Sequence, residues 1–168
     1  LFRSVTGRLL EAMAGPKVCR YLDIPFQHSD PALIKAMRRG LDGPRALRLL
    51  EGIRRKLPGV AVRTSLIVGF PGEGEREFAA LRRFVEEARF DHLGVFTYSP
   101  EKGTPAFSLQ DALPAAAKEE RRAEIMAIQA GLSLARNQGY IGRRLDVLVE
   151  GPDARKPGGW TGRARFQA

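Results

Sequence analysis

The sequence predicts an α/β protein: part of a parallel β/α barrel with a short all-β segment behind it. Three observations carry that expectation. Strand-like apolar runs alternate with amphipathic helical stretches over residues 1–139, which implies right-handed βαβ crossovers and a parallel sheet. Three such strands are too few to close a barrel, so half of one is expected. After residue 139 the pattern changes to short strands separated by Gly- and Pro-rich turns.

Residues 18–24 read as a strand closed by Pro25. Ser29-Asp30-Pro31 then supplies a polar cap and a first-turn proline for a helix striped by Leu33, Ile34 and Met37 and ended by Gly40. Residues 44–57 make a second helix. Leu47, Leu50, Ile53 and Leu57 share one face, Arg45, Arg48, Arg54 and Arg55 decorate the rest, and Pro58-Gly59 stops it. Residues 60–68 form the next strand, whose Leu66-Ile67-Val68 end is expected to be buried on both faces. The turn Gly69-Phe-Pro-Gly-Glu73 leads into a helix reaching residue 89, with Phe78, Leu81, Val85 and Ala88 as its stripe. Residues 93–98 are the third strand, followed by a loop holding Pro100, Gly103 and Pro105. Pro114 opens a long helix to residue 139, striped by Ile125, Ile128, Leu132 and Ala135. In the tail, residues 145–150 and 160–166 read as strands around Gly151-Pro152 and Pro157-Gly158-Gly159. There is no fixed-period repeat and no low-complexity tract.

With 168 residues, 43% of them hydrophobic, the chain is long enough to bury a core. No apolar run approaches the roughly 18 residues of a membrane span, and the start lacks a signal-peptide pattern. The single cysteine, Cys19, excludes an internal disulfide and fits a cytoplasmic chain. The chain starts at Leu1 and its last strand-like run stops at Ala168, so an internal fragment is expected. A net charge of +9 and a pI near 10.4 point to a polyanionic partner such as RNA, or else to a basic enzyme with no such role.

In parallel α/β folds, ligands bind at the carboxyl ends of the strands. Three loops begin there: Pro25-Phe-Gln-His28, Gly69-Phe-Pro-Gly-Glu73 and Tyr98-Ser-Pro-Glu-Lys-Gly-Thr104. Gln27 and His28 directly follow a strand and are placed to hydrogen-bond a polar ligand such as a ribose, or to sit solvated at the helix entry. The Gly69 loop lacks the Gly-Lys-Ser/Thr ending of a phosphate-binding loop. Glu73 sets a carboxylate where a phosphate would bind, which suits an amine or hydroxyl, or serves only to compensate the helix dipole. Gly69 and Gly72 allow close approach of a flat ring. Arg63 and Ser65 alternate with Thr64 on their strand. Arg63 faces either the barrel interior, where it would need an anionic partner, or solvent at the strand's start. Cys19, His28 and His92 have no metal-ligand spacing, and no Gly-x-Ser-x-Gly elbow is present. Arg143, Arg144, Arg155, Lys156, Arg163 and Arg165, with Trp160 and Phe166 among them, form either a nucleic-acid surface or a solvated hairpin.

Taken together, Tyr21-Leu-Asp-Ile-Pro-Phe-Gln-His28, Leu66-Ile-Val-Gly-Phe-Pro-Gly-Glu73 and Val95-Phe-Thr-Tyr-Ser-Pro-Glu-Lys-Gly-Thr-Pro105 resemble the radical-SAM methylthiotransferases in order and spacing. The run Lys118-Glu-Glu-Arg-Arg122 extends the likeness over nearly the whole chain. Pro-Phe-Gln-His28 and Tyr98-Ser-Pro-Glu101 resemble the branch acting on a ribosomal protein rather than the tRNA-modifying branch. The resemblance implies an enzyme that methylthiolates the β-carbon of an aspartate in small-subunit ribosomal protein S-twelve. It further implies S-adenosylmethionine and two 4Fe-4S clusters, one of which cleaves the cofactor to a 5′-deoxyadenosyl radical. The ligands of both clusters are absent from this sequence. Residues 1–113 would be the C-terminal half of the radical-SAM barrel (strands four to six), 114–139 a connecting helix, and 140–168 the start of an OB-like TRAM domain. Gln27 and His28 would lie beside the ribose or methionine part of the cofactor, Arg63 and Ser65 would face the cavity, and Gly69, Glu73, Tyr98 and Ser99 would border the adenine. No catalytic residue and no metal ligand is assigned in this chain. The implied partners are protein S-twelve or the ribosomal subunit, with RNA contact through the basic tail, no membrane, and a monomeric parent. A tRNA adenosine methylthiotransferase and a non-catalytic RNA-binding module are the alternative readings.

Overall fold

Alternation along one strand decides the layering. In β2 (Ala61–Val68), Val62, Thr64, Leu66 and Val68 are buried, whereas Arg63 is exposed and Ser65 and Ile67 are half-buried. Helices therefore cover one face of the sheet, and the other face is open. The computed structural model describes residues 5–109 and 113–167. Its sheet runs β1 (Tyr21–Asp23), β2, β3 (His92–Thr97) in that order, all parallel. Asp23 pairs with Arg63, and Ser65 with Gly94.

The helices are α1 (Gly7–Met13), α2 (Pro31–Ala36), α3 (Gly43–Lys56), α4 (Glu75–Ala88) and α5 (Ala115–Gln138). Asp30 caps α2 by accepting the Ala32 and Leu33 amides, and Asp42 caps α3 by accepting that of Arg45. The core lies between the sheet and α3, α4 and α5. Phe26, Phe84 and Phe90 pack there with ring centroids 5.7–5.9 Å apart, among Leu50, Ile53, Leu81, Val85 and Ile125. Arg54 of α3 reaches across to the last carbonyls of α4, donating to Ala88 at 2.6 Å and Arg89 at 3.0 Å. Burial lowers the pKa of this guanidinium, and Arg136 and Arg89 nearby add to the effect against Asp91, which raises it. In the tail, β4 (Val147–Pro152) and β5 (Trp160–Ala164) form an antiparallel hairpin.

Several expectations need correction. The first strand is three residues long rather than seven, because the chain turns sharply where the Tyr21 amide donates to the Cys19 carbonyl. Helix α2 ends at Ala36, ahead of Gly40, because Arg38 adopts a left-handed φ of 53°. The Leu66-Ile67-Val68 end is buried on one face only. Helix α5 buries Lys118, Arg121, Ile125 and Gln129, whereas Ala135 is exposed and Ile128 and Leu132 are only partly covered. The last strand stops at Ala164 and gives way to a 3-10 turn over Arg165–Gln167. Helix α1 has no counterpart in the sequence reading. It is capped by Thr6, whose hydroxyl accepts the Leu9 amide at 3.3 Å, and it buries Leu10 and Met13.

No described helix is long and apolar enough to cross a membrane. Leu81 is fully buried under the sheet, while Leu134 on α5 is 61% exposed. Leu81→Ala is expected to cost about 2–5 kcal/mol and Leu134→Ala less than about 0.5 kcal/mol, read from guanidinium unfolding midpoints at unchanged slope.

Candidate cofactor cleft

At the carboxyl rim of the sheet, three loops and the end of α2 enclose a cleft of about 500 Å³. Its walls include Gln27, Arg38, Ile67, Phe96, Tyr98 and Ser99. Two wall residues, Gln27 (φ 71°) and Arg38 (φ 53°), hold a backbone conformation that non-glycine residues rarely adopt. Gln27 is kept there by the sheet: its amide donates to Ser65 at 2.9 Å, and its carbonyl accepts from Ile67 at 2.7 Å. Tyr98 is equally constrained. Its amide donates to Val68, its hydroxyl to Ala106 at 3.0 Å, and its ring meets Phe70 edge-on at 5.1 Å.

The open sheet face continues from the cleft. Arg63 and Asp23, opposite each other on neighbouring strands, form a half-exposed ion pair at 3.0 Å. Phe96 stands 58% exposed beside Gly94, and Tyr21 and His92 approach with ring centroids 5.9 Å apart.

Beneath the cleft lies a buried polar chain. The His28 and Glu73 side chains are both fully buried, with Nε2 and Oε2 3.1 Å apart. The Asp30 amide donates to His28 Nδ1 at 3.0 Å, so Nδ1 carries the lone pair and Nε2–H donates to the carboxylate. Glu73 Oε1 accepts the Gly69 amide at 2.9 Å and Arg121 Nη1 at 2.7 Å, and Arg121 also bonds Glu75. Burial pushes the Glu73 carboxyl upward. The hydrogen bonds from His28, Gly69 and Arg121 outweigh it and hold the group below its ordinary value. Gly69 has φ 74°, and a Cβ there would meet Lys118 Cγ at 2.4 Å, so the close approach of the Lys118 stem requires glycine. Lys118 in turn donates to the Tyr98 carbonyl at 3.2 Å and lies 5.3 Å from the centre of its ring.

Of the residues the sequence singled out, Gln27, Tyr98 and Ser99 line the cleft, and Arg63 and Ser65 lie on the adjoining open face. His28, Gly69 and Glu73 form the layer underneath, with side-chain or backbone groups turned to protein partners. Sequence reasoning missed Arg38, Phe96 and the buried pair Lys118 and Arg121 on α5. The one available signal for the last two was the charge run at residues 118–122, which breaks the apolar stripe of that helix. Among the described residues no group of three or more His, Cys, Asp or Glu could hold a metal ion, and Cys19 is exposed. The cleft offers an aromatic wall, an amide and a hydroxyl, a set suited to binding and orienting a flat polar ligand.

The depressed Glu73 pKa fixes a direction for acid sensitivity. Its stabilisation is fully present above the ordinary carboxylate value of about 4.3 and is lost as pH falls through the lower folded value. The stability gap between the unsubstituted chain and Glu73→Gln should therefore be widest above about pH 5 and shrink below about pH 4. Urea midpoints measured across that range check it, and a gap constant with pH would contradict it.

No family model matches the chain. Among curated proteins it is 52% identical over 150 residues to one from Anaeromyxobacter sp. (strain K), covering 89% of this chain and 32% of that protein. It is 47% identical over 152 residues to one from Aquifex aeolicus, covering 90% and 35%. For one from Heliobacterium modesticaldum the figures are 48% over 164 residues, covering 97% and 35%. All three carry the name ribosomal protein uS12 methylthiotransferase RimO. Among solved structures, the chain resembles Escherichia coli coproporphyrinogen III oxidase (HemN), described as a radical SAM enzyme. The TM-score is 0.62 at 18% identity, over 95% of this chain and 38% of that one. That likeness is one of fold alone: the three parallel strands and their helices share the parallel β/α architecture of part of that chain. The chain spans about a third of the length of the curated relatives it matches, and along that third it is similar, at 47–52% identity, to the uS12 methylthiotransferases named RimO.

Proposed function

We propose that this chain is the cofactor-side half of the barrel of a radical-SAM enzyme that methylthiolates the β-carbon of an aspartate in ribosomal protein uS12. The identity to relatives bearing that name, sustained along almost the whole chain, carries the reading. In the parent, residues 1–113 complete the barrel, 114–139 connect, and 140–168 begin an OB-like TRAM domain. The uS12 protein, alone or within its ribosomal subunit, is the partner, and the basic tail contacts RNA.

The residues on the cleft fit S-adenosylmethionine by their chemistry. Phe96 and Ile67 offer a flat apolar wall to an adenine. The Gln27 amide and the Ser99 hydroxyl supply hydrogen-bonding groups for a ribose or an amino acid moiety. Arg63 offers a cation to a carboxylate, and Asp23 keeps it oriented across the strands. Gly69, His28 and Glu73 hold the loops that carry this wall. When bound together with a 4Fe-4S cluster, the cofactor supplies the radical chemistry. With a single cysteine, this sequence leaves the cluster's ligands to other parts of the parent. The work of this chain is to bind, orient and shield the cofactor.

A chimera tests the reading. Residues 5–167 replace the corresponding third of the Aquifex aeolicus relative, and the purified, anaerobically reconstituted protein is incubated with uS12 and S-adenosylmethionine. Mass spectrometry of uS12 peptides is expected to find the methylthio group on an aspartate. Methylthiolated adenosine in a tRNA digest with unmodified uS12 would instead assign the chain to the tRNA branch. RNA binding with neither product would leave only a binding module.

A further inference from the structure

We propose that His28 and Glu73 are a coupled pair of positioning residues that set the Gln27 wall of the cofactor cleft, through a hydrogen-bond chain of fixed polarity starting on α5. This deepens the cofactor reading given above and rests on it. The chain runs from Arg121 Nη1 to Glu73 Oε1 (2.7 Å), from His28 Nε2 to Glu73 Oε2 (3.1 Å), and from the Asp30 amide to His28 Nδ1 (3.0 Å). A guanidinium and a backbone amide only donate. Both ends therefore point inward, and just one assignment satisfies the middle: an ionised Glu73 and the Nε2–H tautomer of His28.

The geometry assigns this chain more than a packing role. Two fully buried polar side chains stand where apolar ones would join loop to helix without a desolvation cost. They tie the loop after β1 to the loop after β2, and each of these loops contributes a cleft residue, Gln27 and Phe70. Gln27 immediately precedes His28 and holds the left-handed backbone. Its own peptide is fixed on one side by Ser65 and Ile67, and the next residue is fixed on the other by Glu73. Cutting the His28–Glu73 bond leaves His28 held only by the Asp30 amide and lets Gln27 relax toward ordinary φ, which swings its amide out of the cleft. Arg121 lies on the helix that leads into the tail, so the position of α5 is transmitted to the same wall.

Fixed polarity makes the pair testable with near-isosteric changes. In Glu73→Gln, the Gly69 amide and Arg121 demand the oxygen, so the new NH2 faces His28 Nε2–H. His28 cannot switch tautomer, because the Asp30 amide occupies Nδ1. His28→Leu removes the link outright, whereas His28→Gln keeps an N–H able to donate to Glu73. In the reconstituted chimera, isothermal titration with S-adenosylhomocysteine, which is not consumed, reads the cleft independently of turnover. Glu73→Gln and His28→Leu should weaken its Kd about tenfold, one hydrogen bond to a charged group. His28→Gln should stay within about twofold of the unsubstituted protein. Arg54→Gln, which removes bonds to the end of α4 on the far side of the core, should lower Tm and leave Kd unchanged. If Glu73→Gln does not fold, the contrast between His28→Leu and His28→Gln carries the test. An unchanged Kd in His28→Leu, or Kd losses that merely follow Tm across all variants including Arg54→Gln, would overturn the positioning role. Nitrogen-15 shifts of His28 reporting an Nδ1–H ring would overturn it without any ligand. Failure of the unsubstituted chimera to bind S-adenosylhomocysteine would instead strike at the reading of the cleft itself.

Discussion

One buried carboxylate governs how this half-barrel is assembled. Glu73 sits where the loop after β2 enters α4, with its side chain fully enclosed, and such a charge persists only if it is paired and hydrogen-bonded. It is satisfied from three directions: by His28 from the loop after β1, by the Gly69 amide from its own loop, and by Arg121 from α5. Sheet pairing joins the strands, but this carboxylate joins their ends. It also explains why α5 packs a cationic face against the barrel. Arg121 answers Glu73, its guanidinium lies 4.9 Å from the Phe78 ring centre, and the Lys118 stem fills the space above Gly69. A hydrophobic stripe on α5 could have covered the sheet, but it could not have neutralised the loop.

Strand β2 separates a packed face from an open one. Residues of β2 that point toward the helices are Val62, Thr64, Leu66 and Val68, and even the threonine is used internally, donating to the Ile24 carbonyl and accepting the Phe26 amide. Of the residues that point the other way, Arg63 is exposed and Ser65 and Ile67 are half-buried, with no helix packed over them among the described residues. A parallel sheet with one uncovered face is unusual for a protein standing alone, because both faces are normally covered. Here the uncovered face bears an ion pair and an exposed Phe96 rather than a uniform apolar surface.

Much of this was legible in the sequence, for identifiable reasons. The order of strands and helices followed from Pro, Gly and capping residues, which act locally: Asp30-Pro31 and Pro114 each mark a helix start within one residue of where it occurs. The strand-end motifs were placed at the correct rim because parallel topology dictates it. What was not legible depended on distant partners. His28 and Glu73 lie 45 positions apart, and nothing in either motif says that each is the other's partner rather than the ligand's. The polar face of α5 was hidden because apolar periodicity cannot see Lys118 and Arg121 as core residues. Helix α1 escaped because its seven residues are too few for a periodic signal and its cap is a single Thr6 hydroxyl.

The tail shows where tertiary contacts substitute for missing burial. A two-stranded ribbon is marginal alone in water, and the β4–β5 hairpin leaves Val147, Leu148, Val149 and Trp160 exposed. Its strands approach so closely that a Cβ on Gly162 would come within 2.5 Å of the Leu148 carbonyl oxygen. Its anchorage comes instead from the residues that follow. Phe166 stacks on Tyr140 with ring centroids 4.5 Å apart and offers its carbonyl to His92, and Arg165 donates to the Pro16 carbonyl. His92 opens β3 and approaches Tyr21 at the start of β1, so the tail is tied to the amino ends of the strands, opposite the cleft. A surface presented by the hairpin is thereby held at the far rim from the cleft. The direct mechanical route between the two runs along α5, whose first turns answer Glu73 and whose last turn leads into Tyr140.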